Sequence, residues 1–143
     1  MVSVQRTLTV STPLERVVEY LADFAHAAEW DPGTKTCTPT GPGPVQVGST
    51  WHNVSVFRGK ETELTYRLVT REERRLVFEG NNKTATSTDD LTFAPVTGGT
   101  SITYRAHIRF HGLIKLVGWA VQGEFNKLGD LTVAQMTRVL NAL

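Results

Sequence analysis

The chain has a single cysteine, Cys37, among its 143 residues. No intramolecular disulfide can form, which points to a reducing, cytoplasmic setting. Lys35 is the only charge beside Cys37, and no neighbouring base is in place to make its thiol a nucleophile. No apolar run approaches the ~18 residues of a membrane span, and no charged-then-apolar leader opens the chain. A surplus of one charge sign is missing too: the formal net charge is +1, with acids and bases interspersed, so nothing resembles the basic stripe of a nucleic-acid binder. The densest charge run, R-E-E-R-R from Arg71 to Arg75, is broken by its own acids and reads as a solvated turn. G-x-G-x-x-G, P-loop and G-x-S-x-G patterns are all absent, so dinucleotide, phosphoryl-transfer and hydrolase chemistry lack support. The four histidines, His26, His52, His107 and His111, include no helical H-x-x-x-H pair around a glutamate, and no second cysteine joins Cys37. No metal and no cofactor is expected.

What is present is hydrophobic periodicity. The 40% hydrophobic and 20% charged fractions are those of a globular chain, and the length suits one domain over residues 1–143. Val2, Val4, Leu8 and Val10 alternate, predicting a strand over 2–10, with Arg6 interrupting the inner set at an edge or mouth. Ser11-Thr12-Pro13 then offers a hydroxyl cap and a proline for the first helical position, and Leu14, Val17, Val18 and Leu21 follow at helical spacing. A second short helix is expected over 24–29, ended by Trp30-Asp31-Pro32-Gly33. Gly41-Pro42-Gly43-Pro44 is a rigid loop. From Gly48 the chain reads as successive hairpins. Strands over 50–57 and 61–70 turn at Arg58-Gly59; strands over 75–79 and 84–93 are joined through residues 80–83; and Gly98-Gly99 leads to a last strand over 100–110. Residues 113–143 carry Val117, Val121, Leu128, Leu131, Val139 and Leu140 near helical spacing, predicting one long helix with a kink or break possible at Gly123 or Gly129.

The hairpin registers assign faces. Ile102, Tyr104, Ala106, Ile108 and Phe110 form the buried set of the last strand. Pairing Phe93 near Ile102 puts Leu91 beside Tyr104 and Asp89 beside Ala106, so Asp89 and Ser87 point inward. An inward carboxylate either reaches water in a cavity or escapes to a wet edge through a bulge. Turning at Arg58-Gly59 gives Trp51, Asn53, Ser55 and Phe57 the same face as Thr62, Leu64, Tyr66 and Leu68. Asn53 and Ser55 are then either orienting groups on an apolar wall or a satisfied buried amide. Along the last helix, the wheel that holds Val117, Val121 and Leu128 takes in Glu124 and Gln135, with Trp119, Gln122 and Asn126 opposite.

Three blocks carry a family likeness: S-T-P-L-E-R-V-V-E-Y-L-A-D-F-A-H-A-A-E-W-D-P (11–32), Y-R-L-V-T-R-E-E-R-R-L-V-F-E-G (66–80) and G-G-T-S-I-T-Y-R-A-H-I-R-F-H-G (98–112). In this order of elements the chain resembles the START-like (SRPBCC, helix-grip) superfamily, and within it the bacterial polyketide cyclase/dehydratase-like group. The resemblance implies an α+β helix-grip fold: a curved antiparallel sheet around a long C-terminal helix, with two short helices after the first strand. It carries no residue-by-residue catalytic assignment.

Three functions follow as expectations. One is binding of a hydrophobic, aromatic or polyketide/lipid-like molecule in a cavity between sheet and helix. Its walls would be Trp51, Asn53, Ser55, Tyr66, Phe78, Ser87, Asp89 and Tyr104, with Val117, Val121 and Glu124 opposite. The second is cyclase/aromatase or dehydratase catalysis in that cavity, with Asp89, Glu124, Tyr66 and His26 as candidate proton carriers. His26 clusters with Trp30 and Asp31, an arrangement equally read as an exposed histidine beside a packing tryptophan. The third is a protein-interaction module using Arg105 and Arg109 on the outer face. No nucleic-acid partner is expected, and the chain would act as a monomer or homodimer.

Overall fold

A computed structural model describes residues 1–112 and 121–143. Seven strands form one antiparallel sheet in the order β1-β7-β6-β5-β4-β3-β2: β1 (Val2–Val10), β2 (Thr34–Pro39), β3 (Thr50–Phe57), β4 (Lys60–Glu72), β5 (Arg75–Asn81), β6 (Ala85–Val96) and β7 (Gly99–Phe110). Helix α1 (Leu14–Ala22), a 3-10 turn (Phe24–His26) and α2 (Ala27–Trp30) follow β1, and α3 (Gln122–Asn141) ends the chain. This is the helix-grip architecture: the sheet's concave face closes around α3.

The expected registers hold. Phe93 pairs with Ile102, Leu91 with Tyr104 and Asp89 with Ala106, while Trp51 pairs with Tyr66 and Ser55 with Thr62. The β3–β4 turn is the mirror-image two-residue type that a right-twisted hairpin favours, with positive φ at both Arg58 (56°) and Gly59 (75°). A register shift between Leu68 and Thr70 puts a bulge at Val69, and another falls between Thr34 and Thr36. Bulges bend a strand and increase its twist, which helps a sheet to curve. Strand β2 lies where sequence periodicity is silent, because its T-K-T-C-T-P run is a mostly exposed edge with few apolar residues to alternate.

Helix α1 packs Leu14, Val17, Val18, Leu21 and Ala22 against β5, β6 and β7, and two further fillings complete the cover of the concave face. At one end Phe24, from the 3-10 turn, sits among Trp30, Trp51, Tyr66 and Phe78, with ring centroids 6.0, 6.2, 4.4 and 4.5 Å away. Elsewhere α3 lies across the sheet on one stripe, Phe125, Gly129, Thr132, Met136 and Leu140, at helical spacing. That stripe corrects the expected one: Leu131 is 59% exposed. The described helix begins at Gln122 rather than at the expected residue 113, so Gly123 stands in its first turn, and it runs unbroken through Gly129. Gly129 marks a close approach instead, since a Cβ there would stand 2.6 Å from Val4 Cγ2 of β1. Val117, Gly118 and Trp119 lie outside the described residues.

The residues before α1 serve α3 rather than capping α1. Pro13 occupies the cap position and no side chain caps the helix. The Thr12 hydroxyl donates to the Leu140 carbonyl at 2.6 Å, and the Ser11 N–H donates to Asn141 Oδ1 at 2.8 Å. Near the other end of α3, the Gln122 amide accepts from the Ser3 N–H and donates to the Ser3 carbonyl, satisfying part of the open edge of β1. Arg6 adds an ion pair to Asp130 at 2.7 Å, which explains a charge in the inner parity of β1.

Glycine at position 80 is required by packing. A Cβ there would meet the Tyr66 ring at 2.6–2.8 Å, so the ring lies directly over the β5 backbone. Gly80→Ala should displace a fully enclosed ring and lower unfolding free energy by about 1–3 kcal/mol. Urea denaturation of the variant checks this, and an unchanged midpoint would refute the packing argument.

Candidate functional site

Between the aromatic plug and α3 the sheet leaves a cavity of about 230 Å³. Its apolar wall comes from Val2 and Val4 of β1, Leu64 of β4, Ala106, Ile108 and Phe110 of β7, and Val121, Phe125 and Leu128 at the start of α3. Its polar groups come from Asp31 after α2, Ser55 of β3, Tyr66 of β4, Ser87 and Asp89 of β6, and Tyr104 of β7, with Thr132 on α3.

Asp89 projects inward because it shares the parity of Leu91 and Phe93, and it is 6% exposed. The Tyr104 hydroxyl donates to its Oδ1 at 2.6 Å. Burial pushes the Asp89 carboxyl up to about 7, opposed by the Tyr104 hydrogen bond and reinforced by the nearby Asp31. The Tyr66 hydroxyl, next to Asp89 on the wall, donates to Ser87 Oγ at 3.2 Å. Burial and the Asp89 charge hold both phenols well above the usual tyrosine range, so they act as neutral donors.

Asp31 is a second carboxyl on the same cavity, and burial raises it as well. Its Oδ1 accepts from the Gly33 N–H at 2.9 Å and its Oδ2 from the Thr34 hydroxyl at 3.0 Å. Behind it runs a relay of side chains: Ser55 donates to Asn53 Oδ1 at 2.6 Å, and the Asn53 amide reaches Thr34 Oγ1 at 3.5 Å. Asn53 is thus a satisfied buried amide that supports the Asp31 loop, not part of the cavity wall. Cys37 lies alongside, and burial pushes its thiol up to about 11, leaving it a neutral packing group.

Of the residues singled out from sequence, Ser55, Tyr66, Ser87, Asp89, Tyr104 and Val121 meet at the cavity. Trp51 and Phe78 are fully buried in the plug, where Trp51 Nε1 donates to Asp23 Oδ1 at 3.1 Å. Glu124 is not on the wall. It is exposed and takes the Arg58 guanidinium at 2.7–2.8 Å, fastening the β3–β4 turn to the first turn of α3, and that partner holds its carboxyl below the usual range. Its place on the wheel is correct only to within one step, since the inward neighbour is Phe125. His26 stacks on Tyr20 with centroids 4.1 Å apart and bonds the Tyr20 carbonyl through Nδ1, outside the cavity lining. The paired acid missed as a wall group is Asp31; its signal was the Asp-Pro-Gly turn directly after a short helix.

Comparison with known proteins agrees with this architecture. No curated protein sequence matches the chain significantly. Among solved structures, the chain is similar to TTHA0849 from Thermus thermophilus, with a TM-score of 0.80 at 15% identity, covering 98% of this chain and 97% of that one. A STAR-related lipid transfer protein from Xanthomonas axonopodis matches with a TM-score of 0.76 at 12% identity, over 96% of this chain and 85% of that one. The di-domain aromatase/cyclase StfQ of the steffimycin biosynthetic pathway matches with a TM-score of 0.70 at 11% identity, over 96% of this chain and 49% of StfQ. Such identities establish the fold alone. The sequence profile of one family, described as polyketide cyclase / dehydrase and lipid transport, covers residues 1–138, and the chain belongs to that family.

Proposed function

We propose that the protein binds a hydrophobic, ring-containing small molecule in the cavity between the sheet and α3. The observation that carries this reading is the cavity itself, an apolar wall with a few polar groups gathered at Asp89, Tyr104, Tyr66, Ser87 and Asp31. Apolar surface supplies affinity, and a small set of fixed donors and acceptors supplies orientation. The lipid-transfer and aromatase/cyclase structures that share the fold add support by analogy.

The test is titration of isotope-labelled protein with a neutral bicyclic aromatic such as naphthylmethanol. Saturable shifts should be confined to the lining residues, and filling the cavity with Ala106→Trp should weaken binding at least about tenfold. Absence of saturable shifts at millimolar probe would reject the reading.

A second reading, acid–base catalysis of the cyclase/aromatase or dehydratase type, has one specific observation behind it. Asp89 is a carboxyl with a pKa of about 7, on a cavity wall and held by a phenol. A group so placed exchanges protons readily at neutral pH. If it acts on an enolisable carbonyl, a bound aryl ketone should exchange its α-protons for deuterium faster as pH rises through about 7, the base form being the ionised one. Asp89→Asn should abolish the acceleration, and equal rates in both proteins would remove Asp89 from any catalytic role.

The same group makes a stability prediction. The folded state holds its proton up to about pH 7, whereas an unfolded aspartate releases it near 3.8. The folded state therefore binds more protons between those values, and stability falls as pH rises across that window. Asp89→Asn keeps an acceptor for Tyr104 and carries no charge. Its stability relative to the parent should improve by on the order of a few kcal/mol between about pH 4 and pH 7. Parallel pH dependences in urea melts of the two proteins would contradict the raised carboxyl.

A further inference from the structure

Resting on the binding reading above, we infer that the cavity's ligand carries a protonated amine on its hydrophobic body, and that Asp89 and Asp31 together receive it. Both carboxyl groups reach the same apolar cavity, from opposite covers of the fold: Asp89 from β6 in the sheet, Asp31 from the loop that leaves α2. Neither has a cationic partner among the described residues. The ion pairs of those residues join Arg6 to Asp130, Lys35 to Glu61, His52 to Glu63, Arg58 to Glu124 and Arg75 to Asp90. None of the described lining residues is Lys, Arg or His. Asp89 is more than nine-tenths buried, and the neutral phenols Tyr104, which donates to Oδ1 at 2.6 Å, and Tyr66 are its hydrogen-bonding neighbours among those residues, neither of which neutralises its charge.

This arrangement is the reverse of what an anionic ligand needs. A fatty-acid or other carboxylate head would meet two acids and no described cationic lining group, and like charges repel. An ammonium group supplies N–H donors to carboxylate acceptors and a counter-charge that none of the described lining residues provides. Tyr66 and Tyr104 stay neutral beside it and add no competing charge. Among the described residues, the titratable groups around Asp89 are Tyr104 on β7, Tyr66 on β4 and Asp31. Helix α3 faces the cavity with Val121, Phe125, Leu128, Gly129 and Thr132, none of which titrates.

A cation between the carboxyls favours their ionised forms, so binding near pH 6.5 should drive protons off the protein. That gives a readout distinct from affinity.

The experiment compares three probes with one aromatic body: naphthylmethylamine, naphthylmethanol and naphthylacetate, titrated calorimetrically into the full chain. At about pH 8 the amine should bind at least about tenfold more tightly than the alcohol, and the acid most weakly. Near pH 6.5, amine binding should release protons, seen as an enthalpy that depends on the ionisation heat of the buffer, while alcohol binding should not. Asp89→Asn and Asp31→Asn should each bring the amine-to-alcohol preference to within about threefold. An amine that binds no tighter than the alcohol, or an acid that binds best, overturns the inference and leaves the binding reading standing. Failure of all three probes removes both.

Discussion

The structure depends on one packing demand: a curved sheet has a single inner face, and every residue of inward parity on seven strands must be covered. Phe24 answers for one end. Its ring sits at the centre of four others, with Trp30, Trp51 and Phe78 fully buried around it. The rest of the face belongs to α1, over β5 to β7, and to α3, whose stripe is narrow and has glycine where it crosses Val4. A helix cannot follow a concave surface along both directions. Where the plug stops and the helix has not yet closed down, space remains, and the cavity occupies it.

That geometry also explains why the polar groups gather where they do. Inward parity on β6 and β7 is continuous, so Asp89 and Tyr104 are carried to the inside by the same alternation that buries Leu91 and Ile102. Placed under the plug, Asp89 would be an unpaired acid in a dry core, a costly arrangement. Placed at the cavity, it retains a pKa near neutrality with one phenol bond. Asp31 arrives differently. It ends α2, and the turn after it folds the Gly33 N–H and the Thr34 hydroxyl back onto its two oxygens, fixing the carboxyl before any ligand is present. One acid is held by a sheet, the other by a turn, and the Ser55–Asn53–Thr34 relay ties the turn to β3.

Much of this was legible in the sequence, for a physical reason. Period-two alternation and tight turns set a hairpin's parity wherever no bulge intervenes, so the inward positions of Tyr66, Ser87 and Tyr104 can be read from residue order, and that of Asp89 once β6 and β7 pair without a bulge. Legibility fails where a position depends on contact between distant elements. Phe24 lies in a three-residue 3-10 turn with no periodicity, so nothing local marks it as the centre of the plug. Strand β2 is polar and at the edge, and is set by pairing with β3 rather than by its own pattern. Trp51 and Phe78 were correctly inward, but parity cannot tell which inward residues lie under the plug and which line the space beside it. Along α3 a helical wheel without a known axis is ambiguous by one residue. That step exchanged Phe125 for Glu124 and turned a wall into a latch.

The latch shows how the first and last parts of the chain cooperate at the site. Helix α3 is fastened to β1 by Gln122 on Ser3 and by Asp130 on Arg6, and its C-terminus by Thr12 and Ser11. These anchors set the helix against the first strand. On the other side of the cavity, α3 meets the β3–β4 turn through an exposed ion pair, Arg58 with Glu124. Exposed pairs contribute little to stability and are weakened by salt. The helix is therefore held firmly on the β1 side and lightly on the hairpin side, next to the cavity-lining Phe57 and Val121. Among the described residues, the pair that joins the β3–β4 turn to α3 stands apart from the rings packed on Phe24, so the latch and the plug are separate devices.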